Sequence, residues 1–274
     1  MKEKEEEVVN GRRVLQWTLF VPILQVLFLI CTLLGCYSIA YNQDDIPRFP
    51  HLAYISEVAD KRPQSSLFTL GVIGNSFMNL FSVMLRYKQV LMVSEGITNR
   101  FALVCGVLMC MSKFVVASFQ LDSTPEIHHT AAACFLPLSF IYCACHVFLT
   151  HKTLRFSSKA VFAVRIVLVD LMLASAMIFG VFQFDELSHY NEPPTNIAQC
   201  SQWIYLLLVN IFSLTFAQDF KILDFNFEVS VSREKKEDGE IVVTPEKQTS
   251  NARAVLFQGA QSAELDPDIF MNLV

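Results

Sequence analysis

Charge is what this sequence has least of. Only 17% of its 274 residues are Asp, Glu, Lys or Arg, against about 25% in an ordinary soluble domain. The 21 basic and 26 acidic residues leave a net charge of -5, and most of them sit at the ends and in short loops. No broad basic face is available to a phosphate backbone, which excludes nucleic acid as a partner. HExxH, GxSxG and every fixed-spacing ligand set are also missing, so no catalytic residue, cofactor or metal is assigned and the chain is expected not to be an enzyme. Of eight cysteines, Cys31, Cys36, Cys105, Cys110, Cys134, Cys143 and Cys145 fall inside apolar runs, where a thiol serves as a small apolar group. Cys200 has no evident partner, and neither a disulfide framework nor a zinc spacing is present. There is no Asn-x-Ser/Thr acceptor.

What the chain has instead is apolar length. It is 53% hydrophobic and holds 24 phenylalanines. Crossing ~30 Å of hydrocarbon takes about 20 apolar residues in a helix, and six runs meet that length: 14–41, 67–85, 101–119, 130–150, 160–182 and 201–220. The fold class is therefore all-α, an integral membrane six-helix transmembrane bundle. The mixed charge of "MKEKEEEVVNGRR" and the lack of a small-residue cleavage site make the first run an uncleaved span. Sixteen of the Lys and Arg residues, counting Arg86, fall on the side of the two termini, and only Arg48, Lys61 and Arg62 on the other. Basic residues accumulate in cytoplasmic loops, so both termini are expected to be cytosolic.

Three parts follow: a cytosolic N-terminus at 1–13, a six-span membrane domain at 14–220 and a cytosolic tail at 221–274. The tail reads as largely disordered from "SREKKEDGE" and "TPEKQTSNAR", with "IFMNLV" at its end available to a protein partner. Tyr87-Lys88-Gln89-Val90 fits a tyrosine-based sorting pattern but abuts the membrane, which favours a helix-end anchor.

Ionisable groups at membrane depth are costly and are functional candidates by default. Lys113 lies about 18 Å and Asp170 about 15 Å from the cytosolic ends of their helices at the helical rise. A bridge between them is expected, either as a relay or, the favoured reading, as a lock that selects which helices touch. Arg165 is shallower and can reach the interface or Asp219. Asn75, Asn79 and Ser82 share a face of the second span, after Gly71 and Gly74. Trp203, Asn210, Ser213 and Ala217 form a like stripe in the sixth. Small and amide residues on one face are what helix association in lipid uses. Chemistry, if any, belongs at the non-cytosolic rim, with Glu57, Asp60, Asp122, Glu126, His128, His129, Asp185, Glu186 and His189. The bland reading of His128-His129 is a polar helix start. The proline-bounded stretch "PRFPHLAYISEVADKRPQSSLF" lies over this rim as a lid, with Ser56 and Glu57 as its clasp.

These landmarks resemble the damage-regulated autophagy modulators (DRAM) and the related transmembrane protein 150 group. Tyr54-Ile55-Ser56-Glu57-Val58-Ala59 is similar to the family's Tyr-Ile-Ser-Asp-Thr-Gly, with the acid kept in kind and Thr-Gly lost. Leu67-Phe68 opens the second span, Asn75 falls inside it, and Arg86-Tyr87-Lys88-Gln89-Val90 closes it. Ala117-Ser118-Phe119-Gln120 is similar to Ala-Asn-Phe-Gln, followed by His128 or His129. Arg165 stands where the fifth span carries arginine, Gln202-Trp203 where relatives often have Glu-Trp, and Asp219-Phe220 ends the sixth. The match runs over about 50–231 and marks a divergent member. The resemblance implies a non-enzymatic regulator of autophagy in the lysosomal or endosomal membrane, working through membrane lipids or protein contacts. Two alternatives stay open: a plasma-membrane scaffold that recruits a phosphoinositide kinase, and a lipid-remodelling or lipid-transporting protein.

Overall fold

Hydrocarbon offers a backbone no water to bond, so a chain this apolar must satisfy its N–H and C=O groups within helices. The computed structural model describes residues 17–93, 95–152, 157–188, 196–220, 232–235 and 241–244, with the side chains of Trp17, 185–188 and the two strands excepted. A 3-10 turn at Trp17–Leu19 leads into α1 (Phe20–Asn42), then come the short α2 (Ile55–Val58), α3 (Gln64–Leu91), α4 (Ile97–Ser118), α5 (Pro125–Lys152), α6 (Lys159–Ser188), α7 (Ile197–Leu214) and α8 (Phe216–Phe220). Six of the described helical segments are long and apolar enough to cross a membrane, the sixth being the α7–α8 pair at Ile197–Phe220. In the separate unit at 225–274, β1 (Ser232–Lys235) and β2 (Ile241–Thr244) pair antiparallel, Ser232 opposite Thr244; the expectation of a largely disordered tail did not include this pairing. The rest of that tail, the N-terminus at 1–13, His189 and the side chains of Asp185 and Glu186 lie outside the described residues.

The spans form a ring in which each packs on its neighbours in the order α1, α3, α4, α5, α6, α7 and back to α1. Their first and last turns meet where the Thr18 hydroxyl bonds the Phe220 carbonyl at 3.4 Å. Glycine sets the closest approach. A Cβ on Gly71 would overlap the Thr32 side chain of α1, and one on Gly74 would lie 3.2 Å from the Phe28 ring. Gly71→Val therefore has no room without separating α1 from α3. The expected loss is about 1–3 kcal/mol, read as a lower unfolding midpoint in detergent.

α3 runs six residues beyond the expected end of its span, because Arg86 and Gln89 are buried rather than wetted. Arg86 therefore drops out of the loop count that argued orientation; fifteen basic residues against three leave its direction unchanged. Gln89 and Val90 are buried as well, which removes the sorting reading of Tyr87–Val90 in this conformation.

Candidate functional site

The proline-bounded segment after α1 behaves as a strap across one end of the bundle. Asn196, the N-cap of α7, sits at φ 63°, a left-handed conformation that asparagine tolerates. Its side chain donates to the Pro50 carbonyl at 2.9 Å and accepts from the Leu52 N–H at 2.8 Å. The Gln202 amide oxygen accepts the Ile55 N–H at 3.0 Å, and the Trp203 indole donates to the Ala53 carbonyl at 3.1 Å. The strap thus borrows the first turn of α7 and its next residues to satisfy its own backbone. At Gln202, a neutral amide does what a carboxylate oxygen would do.

The candidate residues of the strap are spent in the same way. Glu57 is exposed and its carboxylate accepts the Tyr54 N–H at 2.8 Å, closing the first turn of α2. His128 is buried, with Nδ1 2.7 Å from the Phe119 carbonyl and Nε2 2.8 Å from the Ser56 hydroxyl. His129 is exposed and meets the His128 ring edge-on at 6.0 Å. Gln120 lies with Ser56 and His128 around a cavity of about 10 Å³, room for about one water. Among the described residues, no three His, Cys, Asp or Glu side chains converge as a metal site.

Asp60 titrates away from its ordinary range. Its carboxylate accepts the Asp122 N–H at 2.9 Å. Partial burial raises it above the ordinary carboxylate range; the Asp122 carboxyl adds to the rise, while the Asp122 N–H and the His128 charge oppose it. A carboxyl raised in the fold contributes stability that is complete below the ordinary value of about 4. That contribution is lost as pH climbs through the raised value. The difference in midpoint between the wild type and Asp60→Asn is therefore expected to change between pH 4 and pH 7; a constant difference would remove Asp60 from the pH response.

At mid-depth a polar layer joins four helices. Asn75 Nδ2 donates to the Gln25 carbonyl at 2.7 Å and to Asn210 Oδ1 at 3.2 Å, and Gln25 Nε2 reaches the same Asn210 oxygen at 3.3 Å. Lys113 Nζ donates to Asn75 Oδ1 at 2.7 Å. Ser82 reaches Gln25 Oε1 at 3.5 Å, and Asn79 is buried with neither amide atom hydrogen-bonded among the described residues.

The expected Lys113–Asp170 bridge does not form. α4 packs on α3 and α5, while α6 packs on α5 and α7, so the two side chains belong to non-adjacent spans. α6 buries the stripe Arg165, Leu168, Met172 and Ser175, and Asp170 lies on the opposite, exposed side.

The other end of the bundle holds the buried charge that is paired. Asp219 Oδ2 lies 2.6 Å from Arg165 Nη2 and 3.0 Å from Arg86 Nη1, and all three side chains are buried. Ser157 donates to Asp219 Oδ1 at 2.5 Å. Arg86 also bonds Gln89 at 2.6 Å, and Arg165 bonds Thr150 at 2.7 Å. The break between α7 and α8 at Thr215 frees a carbonyl and a hydroxyl that Arg165 takes, at 3.2 and 2.8 Å. Phe216 then lies under both guanidiniums, 5.3 Å from Arg86 and 4.9 Å from Arg165, a cation–π arrangement that strengthens away from water.

Two arginines sharing one carboxylate, and a lysine held by an amide inside helices of membrane-crossing length, define a multi-pass α-helical membrane protein whose polar groups join helices. The chain belongs to the Frag1/DRAM/Sfk1/Cwh43P N-terminal domain family, which matches residues 17–223. It is 29% identical to Transmembrane protein 150A of Homo sapiens over 181 residues, 65% of this chain and 62% of that protein. The match thus spans less than two thirds of that relative's length. It is 24% identical to DNA damage-regulated autophagy modulator protein 2 of Rattus norvegicus over 235 residues, 77% of this chain and 87% of that one. Against DNA damage-regulated autophagy modulator protein 1 of Homo sapiens the identity is 21% over 228 residues, 78% and 95% of the two chains. No solved structure gives a significant match.

Proposed function

We propose that the chain is a non-enzymatic regulator of autophagy in lysosomal or endosomal membranes, oriented with both termini in the cytosol. The observation that supports it most is the rim. Its recognisable residues are committed to holding the strap, with both His128 nitrogens bonded, and the cavity beside them is no larger than a water. Such a surface is suited to contact with lipid or protein. The names of the autophagy modulator relatives, which align along most of their own length, supply the process. Imaging a tagged chain against lysosomal and plasma-membrane markers tests the compartment: lysosomal overlap is expected, and confinement to the cell surface would contradict it.

The second reading, a plasma-membrane scaffold for phosphoinositide kinase recruitment acting through the tail, draws on the higher identity to Transmembrane protein 150A. It requires loss of function on deleting residues 232–274, which the first reading does not.

A further inference from the structure

We propose that the outward face of α6 is the contact between two copies of this chain, with their Asp170 carboxyls meeting across a two-fold axis along the membrane normal. Asp170 lies eleven residues in from Lys159, about 16 Å along the helix and past the middle of a ~30 Å hydrocarbon core. Its side chain is exposed, and among the described residues no hydrogen bond or ion pair reaches it. The other exposed charged side chains described on the spans, such as Lys88, Arg100, Glu126 and Lys159, lie in the end turns. A carboxyl facing lipid at that depth needs a polar partner from outside the fold.

The face around it is built for a helix. Ala163, Val167, Asp170, Ala174, Met177 and Val181 follow one another at spacings of four and three and are all exposed. Val167, Met177 and Val181 are 55%, 63% and 64% exposed. This is the seam spacing of a left-handed helix pair. The alanines either side of Asp170 allow the close approach that association in lipid relies on.

The occupant follows from symmetry and chemistry. Two copies insert in the same direction, so their Asp170 side chains stand at one depth on an isologous face. A carboxyl carries an O–H donor and a carbonyl acceptor when protonated, so two of them are self-complementary. At this depth no basic group on this chain's described outer surface can meet it, since Lys113 and Arg165 are buried and the exposed Lys and Arg side chains lie in the end turns or loops. A single polar residue in an apolar seam also fixes register.

The test is single-molecule photobleaching of the full chain in liposomes over a range of protein-to-lipid ratios. The wild type is expected to dimerise, Asp170→Asn to retain the dimer because an amide also donates and accepts, and Asp170→Leu to weaken association about tenfold. Ala174→Phe, which adds bulk outside the monomer fold, is expected to weaken it as well. Asp170→Lys is expected not to pair with itself but to pair with the wild type. A wild type that stays monomeric at every ratio would overturn the proposal, and so would Asp170→Leu dimerising as tightly as the wild type. The first of these is also the result expected if the carboxyl serves a basic transmembrane helix of another protein.

Discussion

Asp219→Ala is expected to be the most damaging single change in the membrane domain. It strips the shared carboxylate from Arg86 and Arg165, which are 1% and 0% exposed. Removing one partner of a buried ion pair costs about 3–5 kcal/mol, because the partner left behind can neither be neutralised nor return to water. The loss is measured as the drop in unfolding midpoint in detergent and as lower abundance of the intact protein in membranes. A midpoint within experimental error of the wild type would show that the triad is not holding α3, α6 and α8 together. The arginines are not equivalent. Arg165 makes the shorter ion pair and also takes the Thr215 hydroxyl and carbonyl, whereas Arg86 makes the longer pair and its other bonds are to Gln89 and Thr150. Arg86→Met is therefore expected to cost less than Arg165→Met.

The second large effect is expected at Asn75. Asn75→Leu removes the oxygen that receives Lys113 and the amide that joins Gln25 to Asn210. A buried amine without an acceptor loses about 1–3 kcal/mol or more. Lys113→Met alone leaves the buried Asn75 oxygen without its donor and is expected to cost about 1–3 kcal/mol. The double variant Asn75→Leu, Lys113→Met is then expected to recover a large part of the loss caused by Asn75→Leu. A cycle of these four proteins isolates the coupling. Strictly additive effects would mean that Lys113 does not depend on Asn75.

The class of the fold was legible because hydrocarbon imposes a length and a composition that six runs of this chain meet. The close approach at Gly71, the shared face of Asn75 and Ser82, and the reach of Arg165 to Asp219 were legible too, since each follows from helical spacing or side-chain length. Pairing between spans was less so. Lys113 and Asp170 match in depth, and depth says nothing of which helices are neighbours; the ring order places α5 between them. The sequence places Arg86 in a loop, because a charge near a span's end ordinarily meets water, and only its contact with Asp219 shows otherwise. Gln25 carries a signal of the same kind as Asn75, an amide well inside an apolar run. The role of Gln202 had no local sequence signal, because its partner is a backbone N–H 147 residues away.

Autophagic flux in cells lacking the endogenous chain, rescued by a variant carrying Glu57→Gln, His128→Gln and His129→Ala, tests the proposed non-enzymatic role most directly. These changes remove the carboxylate and both imidazoles of the strap end while leaving amides at 57 and 128 able to bond the Tyr54 N–H and the Ser56 hydroxyl. Flux restored to the wild-type level, at matched abundance and compartment, is the result expected of a contact surface. Flux lost while abundance, compartment and unfolding midpoint stay unchanged would contradict it and place chemistry at that rim.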